Sequence, residues 1–93
     1  MEVISNKMTR IKQKIIENIC YTEAVYDRIN KKLNASYTKE HIEKIILRIL
    51  EETDEKFYKK TGKNYYVVNM DNRIRVTINS NTFSVITVDK IKG

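Results

Sequence analysis

Apolar residues recur at spacings of three and four along the first half of the chain, the pattern of one face of a helix. The first such series consists of Ile4, Met8, Ile11, Ile15 and Ile19. A second helix is predicted from Thr22, a residue type that caps helix N-termini, to Leu33. Because no strong breaker separates the two, one continuous helix from Ser5 to Leu33 is also compatible with the pattern.

A third helix is predicted after Thr38, a second favourable N-cap residue. Its apolar face follows the same spacing and consists of Ile42, Ile45, Ile46, Ile49 and Leu50. The acidic run that follows opposes the helix dipole, so we expect the helix to end near Thr53. Phe57 and Tyr58 are then expected in a short turn, before a loop over Lys59–Lys63.

The last third of the chain changes to alternating apolar and polar residues, which is typical of strands. Three runs, Tyr65–Asn69, Arg73–Ile78 and Phe83–Val88, are separated by the polar pairs Asp71-Asn72 and Ser80-Asn81. If both pairs are two-residue hairpin loops, Val67 lies opposite Val76, and Val76 lies opposite Val85. Likewise Tyr65 meets Ile78, and Ile78 meets Phe83. The sequence therefore predicts an antiparallel meander.

This register sorts the side chains of the meander onto two faces. The predicted core face consists of Tyr65, Val67, Ile74, Val76, Ile78, Phe83 and Val85. The predicted outer face consists of Tyr66, Val68, Met70, Arg73, Arg75, Thr77, Ser84, Ile86 and Val88. On that face Arg75 is expected between Val68 and Ile86, and Arg73 between Met70 and Val88.

The expected fold class is α+β, with three N-terminal helices packed on one face of a C-terminal three-stranded antiparallel β-meander. A chain of 93 residues has room for one domain. We expect a single domain over residues 1–93, with a helical part over about 4–60 and the meander over about 64–90.

Eighteen basic against twelve acidic residues give a net charge of +6, which is compatible with binding a polyanion. The candidate binding surface joins the outer sheet face to basic residues elsewhere: Tyr66, Arg73, Arg75, Lys63, Lys7, Arg10, Lys12 and Lys14. Guanidinium groups beside aromatic rings can bind phosphate or a stacked base. Long basic side chains also cover an exposed strand face with their stems without binding anything, and that interpretation stays open.

Signals of enzyme chemistry are weak. His41 is the only histidine and has no Cys or second His near it in sequence, so we expect a surface residue and neither a metal ligand nor a general base. Cys20 is the only cysteine, and its apolar neighbours predict a buried thiol. We therefore expect no catalytic residue, no metal and no cofactor. The absence of a signal peptide or a long apolar run predicts a soluble, cytoplasmic protein.

Two segments, one from Ile19 through Leu33 and one from Arg73 through Asp89, resemble a family of small bacterial proteins catalogued as a domain of unknown function. The resemblance implies a bacterial, cytosolic, single-domain protein with helices first and strands last. It implies no activity, ligand or catalytic residue. Small basic proteins of this kind also occur on phages and plasmids, where some inhibit host nucleases.

Three functional hypotheses follow. The leading one is a non-enzymatic basic module that contacts nucleic acid or a nucleoprotein through the outer sheet face. The alternative is a phage- or plasmid-type inhibitor or adaptor that binds a bacterial nuclease effector, through the same face or through the acidic residues Glu51–Glu55. The third is a homodimer whose interface is the outer sheet face, since Val68, Met70, Ile86 and Val88 would form an apolar cluster there.

Overall fold

The computed structural model describes residues 3–92, with side chains described from residue 11 onward. The helices are α1 (Val3–Asn18), α2 (Glu23–Leu33) and α3 (Lys39–Glu52). A 3-10 turn (Glu55–Phe57) leads into strands β1 (Tyr58–Thr61), β2 (Asn64–Asn69), β3 (Ile74–Asn79) and β4 (Val85–Lys90). The strands form one antiparallel sheet in the order β1-β2-β3-β4. The predicted α+β class is confirmed, but the sheet has four strands and not three.

The first two helices are separate because the segment between them pairs with the sheet. The Cys20 N–H donates to the Phe83 carbonyl at 3.0 Å, and the Cys20 carbonyl accepts from the Val85 N–H at 3.0 Å. Thr22 is the N-cap residue of α2, although its side chain makes no capping hydrogen bond. The prediction that Cys20 is buried is wrong: the residue is exposed, because it extends along the start of β4 and does not enter the core.

The third helix has the predicted bounds. The Thr38 side chain accepts a hydrogen bond from the His41 N–H at 3.1 Å, and Thr53 is the C-cap. Four apolar residues of its predicted face are buried, namely Ile42, Ile46, Ile49 and Leu50. Together with Val25 and Ile29 of α2 and Ile15 of α1, they form the helical half of the core.

Strand β1 occupies a segment that was predicted as the end of the helical part and a loop. Tyr58 pairs with Val67, and Lys59 pairs with Tyr66, across the turn that contains Gly62. Gly62 has a φ of +63°, a left-handed conformation that glycine adopts without strain. The other three residues of this edge strand are all exposed, so Tyr58 is its only buried side chain. A strand of this kind leaves no alternating apolar pattern in the sequence.

The two hairpins that follow differ in how well they were predicted. The register between β2 and β3 is confirmed, with Tyr65 opposite Ile78 and Val67 opposite Val76. The register between β3 and β4 is wrong: Val76 lies opposite Val88, and Ile78 lies opposite Val85. A register shift between Thr77 and Ile78 leaves Ile86 as an extra residue in β4. This β-bulge turns both Val85 and Val88 toward the core, where they are 2% and 1% exposed.

The C-terminal end of α3 is joined to three other elements through its backbone carbonyls. The Lys12 ammonium of α1 lies 2.9 Å from both the Glu51 and Thr53 carbonyl oxygens. The Tyr58 hydroxyl of β1 donates to the Leu50 carbonyl at 2.6 Å. The Thr53 hydroxyl donates to the Ile49 carbonyl at 2.6 Å and accepts from the Asn69 amide of β2 at 2.9 Å. The bonds to the Glu51 and Leu50 carbonyls pair groups that a helix end cannot satisfy by itself, whereas the Ile49 carbonyl also accepts from the Thr53 N–H at 3.0 Å.

Replacing Tyr58 by Phe tests how strongly this arrangement stabilises the fold. The change leaves the buried Leu50 carbonyl without its partner, so we expect the free energy of unfolding to fall by about 1–3 kcal/mol. It is measured by urea denaturation followed by circular dichroism. Tyr37→Phe is the control, because the Tyr37 side chain is exposed, and we expect a change below about 0.5 kcal/mol.

The burial of the Tyr58 hydroxyl also predicts that the free energy of unfolding depends on pH in the alkaline range. Burial raises the pKa of Tyr58 above its ordinary value of 10.0. The stabilisation is therefore complete below pH 10 and decreases as the pH rises further. Equal stability of the wild-type and Tyr58→Phe proteins at pH 7 would contradict a structural role for this hydroxyl.

Candidate functional site

The side of the sheet opposite the core carries one polar row that crosses all four strands. Tyr66 of β2 lies opposite Lys59 of β1, and Arg75 of β3 lies opposite Asp89 of β4. Arg75 and Tyr66 are diagonal neighbours, because Arg75 pairs with Val68 and Tyr66 pairs with Thr77. We call the residues on this side the outer face; they are Lys59, Tyr66, Val68, Arg75, Thr77, Thr87 and Asp89.

Arg75 lies at the centre of the outer face and contacts an aromatic ring and a carboxylate. Its guanidinium carbon is 5.9 Å from the centroid of the Tyr66 ring, a cation–π distance. One of its terminal nitrogens is 3.6 Å from an Asp89 oxygen. The other Asp89 oxygen is 2.9 Å from the ammonium of Lys32, which reaches this position from α2. The row therefore continues beyond the sheet into the helical layer.

Two threonines beneath this row are more enclosed than residues of an open sheet face usually are. Thr77 is only 4% exposed, between Tyr66 on one side and Thr87 on the other. The Thr87 hydroxyl is buried and has no hydrogen-bond partner among the described residues. A buried hydroxyl without a partner is unfavourable, and this one is enclosed by its neighbours and closed to solvent.

The other predicted site residues do not join this row. Arg73 lies in the loop that precedes β3, whereas Lys63 lies in the turn between β1 and β2 at the other end of the strands. The six residues of β2 span about 20 Å between these two ends. The prediction that Arg73 lies on the outer face between Met70 and Val88 is wrong, because Met70 and Arg73 belong to the loop and Val88 belongs to the core.

Of the predicted basic residues of α1, the structure describes the side chains of Lys12 and Lys14. The ammonium of Lys12 is already bound to the end of α3, so Lys12 has a structural role. Lys14 lies over the Phe83 ring at 5.9 Å, and Phe83 also stacks on Tyr65 at a centroid distance of 6.4 Å. The side chains of Lys7 and Arg10 lie outside the described residues.

Sequence reasoning missed Lys32, Lys59 and Asp89 as members of the row. Lys59 was assigned to a loop, and Asp89 was displaced from Arg75 by the wrong register in β4. One signal could have revealed the correct register: Val85 and Val88 are three positions apart, an odd spacing that lets both face the core only if a bulge lies between them.

Charge is distributed unevenly between the helices and the sheet. Residues 58–92 contain seven basic and two acidic side chains, a net charge of +5 out of the +6 of the whole chain. The basic residues are Lys59, Lys60, Lys63, Arg73, Arg75, Lys90 and Lys92. The helical part is nearly neutral, so the positive charge is concentrated in the sheet segment; on the outer face itself, Lys59 and Arg75 are accompanied by Asp89.

Arg73 has an unfavourable backbone conformation that the β2–β3 loop imposes, since the Arg73 N–H donates to the Met70 carbonyl at 3.2 Å and the Arg73 carbonyl accepts from the Ile91 N–H at 2.8 Å. Its φ is +53°, in the left-handed region that costs a non-glycine residue about 1–2 kcal/mol. Phe83 has the same conformation at the same position of the next hairpin, with a φ of +61°, but its ring packs against the core. Within residues 11–92 the Arg73 side chain has no ion pair or hydrogen bond.

Among the described residues, no group of three or more His, Cys, Asp and Glu side chains could hold a metal ion. His41 is exposed, as predicted, and its ring lies 4.6 Å from that of Tyr37. None of the described helices is long and apolar enough to cross a membrane.

The fold is that of a small α+β protein whose outer sheet face carries Tyr66 beside Arg75. The chain belongs to the family described as "Protein of unknown function (DUF3781)", whose family model matches residues 13–89. The predicted resemblance to a domain of unknown function is thereby confirmed. The comparison with curated proteins gave no match, and neither did the comparison with solved structures.

Replacing Arg73 by Gly tests whether this residue is kept for its side chain. Glycine adopts the left-handed conformation freely, so we expect the free energy of unfolding to rise by about 1 kcal/mol. Thermal denaturation followed by circular dichroism measures the change. Phe83→Gly is the matched control, and we expect it to destabilise the protein because the contacts of the ring are lost. A loss of stability in Arg73→Gly would show that the Arg73 side chain has a structural role.

Proposed function

We propose that this protein is a non-enzymatic module that binds single-stranded nucleic acid through the outer face. The observation that carries the proposal is the contact between Arg75 and Tyr66 at the centre of the outer face, in a segment of net charge +5. An aromatic ring can stack on an unpaired base, and a guanidinium group can bind the phosphate beside it. The Tyr66 ring and the Arg75 guanidinium belong to diagonally neighbouring residues of strands β2 and β3.

The shape of the surface favours a single strand over a duplex. Four neighbouring strands about 4.8 Å apart form a broad surface, and its side chains do not project as a helix or ribbon that could enter a groove. Sheet surfaces that bind single strands use aromatic residues to stack bases, because unpaired bases expose their faces. Tyr66 occupies the corresponding kind of position here.

The distribution of charge supports the same proposal. Phosphate contacts supply most of the affinity in non-specific binding, and the sheet segment carries nearly all of the net charge. A cytoplasmic location is part of the proposal, because nucleic acid is accessible there.

Two other hypotheses receive less support from the structure. The acidic segment considered for a protein partner is engaged within the chain, since Glu52 pairs with Arg48 and Asp54 caps the 3-10 turn. The apolar cluster considered for a homodimer is not formed, because Val88 is in the core and Met70 is in a loop. We therefore rank an inhibitor or adaptor second and a homodimer third.

Reversing the charge of Arg75 tests the proposal. We expect Arg75→Glu to weaken binding of a fluorescein-labelled twelve-nucleotide oligothymidylate by at least about tenfold, since a charge-assisted contact of about 1.5–3 kcal/mol is lost. Fluorescence anisotropy at about 50 mM salt measures the affinity, because phosphate contacts are strong at low salt.

Arg48→Glu is the matched control for that experiment. It makes the same change in net charge on α3, where the Arg48 side chain is 78% exposed. We expect a much smaller effect, because charges farther than a Debye length from the ligand are screened. If wild-type protein does not bind at about 50 mM salt, or if the two variants lose affinity equally, the proposal is wrong.

Replacing Tyr66 tests the stacking contact separately. Tyr66→Leu removes the ring and keeps an apolar side chain, so we expect a loss of about 1–3 kcal/mol in binding free energy. Tyr66→Phe retains the ring and should bind like wild type in the same anisotropy titration. Equal losses in both variants would mean that the Tyr66 hydroxyl, and not the ring, contacts the ligand.

A further inference from the structure

The carboxylate of Asp89 lies between two cationic side chains from different layers of the fold. One oxygen is 2.9 Å from the Lys32 ammonium on α2, and the other is 3.6 Å from a guanidinium nitrogen of Arg75 on β3. The Asp89 side chain is the least exposed of the three, at 21% against 50% for Lys32 and 47% for Arg75. The two cations therefore surround one anionic position that opens toward solvent.

The contact between Arg75 and Asp89 is the weaker of the two. Hydrogen bonds between guanidinium and carboxylate groups have heavy-atom distances of about 2.7–2.9 Å, and the separation here is 3.6 Å. Within the described part of the chain, the Arg75 guanidinium donates no hydrogen bond. Asp89 thus neutralises Arg75 without satisfying its donors, and those donors remain able to bind an oxyanion bidentately.

We propose that Lys32 and Arg75 form a subsite for one phosphate group of the nucleic acid, and that the Asp89 carboxylate occupies this position in the free protein. Asp89 is then an intramolecular competitor that weakens the contact between Arg75 and phosphate. This inference rests on the function proposed above and names the residues that hold the phosphate.

The surroundings of the subsite fit this role. Tyr66 keeps the guanidinium over the sheet, so a phosphate at Arg75 lies beside a base stacked on the ring.

A purely structural role for Asp89 predicts a different outcome. The pair with Lys32 links α2 to β4, and in that case removing the charge should lower stability and leave affinity unchanged or reduced. If Asp89 competes with phosphate, removing its charge should instead raise the affinity for nucleic acid. The two roles are therefore distinguished by the sign of the change in nucleic-acid binding.

The test measures binding of the labelled twelve-nucleotide oligothymidylate to Asp89→Asn by fluorescence anisotropy. We expect about threefold to fivefold tighter binding, the equivalent of one surface ion pair. The slope of log affinity against log salt should steepen by about 0.7, the value for one phosphate contact on a single strand. The gain should disappear in the double variant Asp89→Asn with Arg75→Gln, because the competitor acts through Arg75.

Asp27→Asn is the matched control, since it removes the same charge from an exposed position of α2; we expect no comparable gain. Asp89→Ser is measured alongside, and only variants with the wild-type circular dichroism spectrum are compared.

The inference is overturned if wild type binds and the folded Asp89 variants bind equally or more weakly, and the proposed function then stands. If neither wild type nor variant binds, both fail. If neither Asp89 variant folds, Asp89 is structural and the inference is wrong.

Discussion

The last turn of α3 has carbonyl oxygens that the helix itself cannot pair, and the rest of the fold depends on how they are satisfied. Lys12 from α1 and Tyr58 from β1 supply partners for the Glu51 and Leu50 carbonyls, and Asn69 from β2 donates to the hydroxyl of the C-cap residue Thr53. Because each donor comes from a different element, satisfying one helix end sets the positions of α1 and of the first two strands. The acidic residues near this end oppose the helix dipole, and the Lys12 ammonium offsets them.

The bulge at Ile86 is the second constraint, and it connects the core to the outer face. It allows Val85 and Val88 to face the same side of the sheet and fill the core beneath α2 and α3. The same extra residue brings Asp89 opposite Arg75. With the regular register the neighbour of Arg75 would be an apolar residue, and neither the ion pair nor the row that reaches Lys32 would exist.

The parts of the fold that were predictable are those determined by local pattern. The periodicity of α3 and its Thr38 cap are local features, as is the register of β2 on β3, which alternating residues specify. Strand β1 was missed because Lys59 and Lys60 give no apolar alternation, and the register of β4 was missed because tertiary packing selects the bulge. In the site, the proximity of Tyr66 and Arg75 follows from the β2–β3 register, whereas Lys32 and Asp89 come together only through the packing of α2 on β4.

The two hairpin loops have similar backbone geometry but differ in the side chain at their left-handed position. Asn69 and Asn79 both end a strand and accept loop N–H groups with their side-chain oxygens, and each is followed four residues later by a left-handed residue. At Phe83 the ring packs on the core and offsets the cost of that conformation. At Arg73 no such contact exists within the described residues, and the charge adds to an already basic sheet. The same backbone requirement is therefore met by a core residue in one loop and by a solvent-exposed arginine in the other, so the conformation itself is set by the loop and not by the side chain that occupies it.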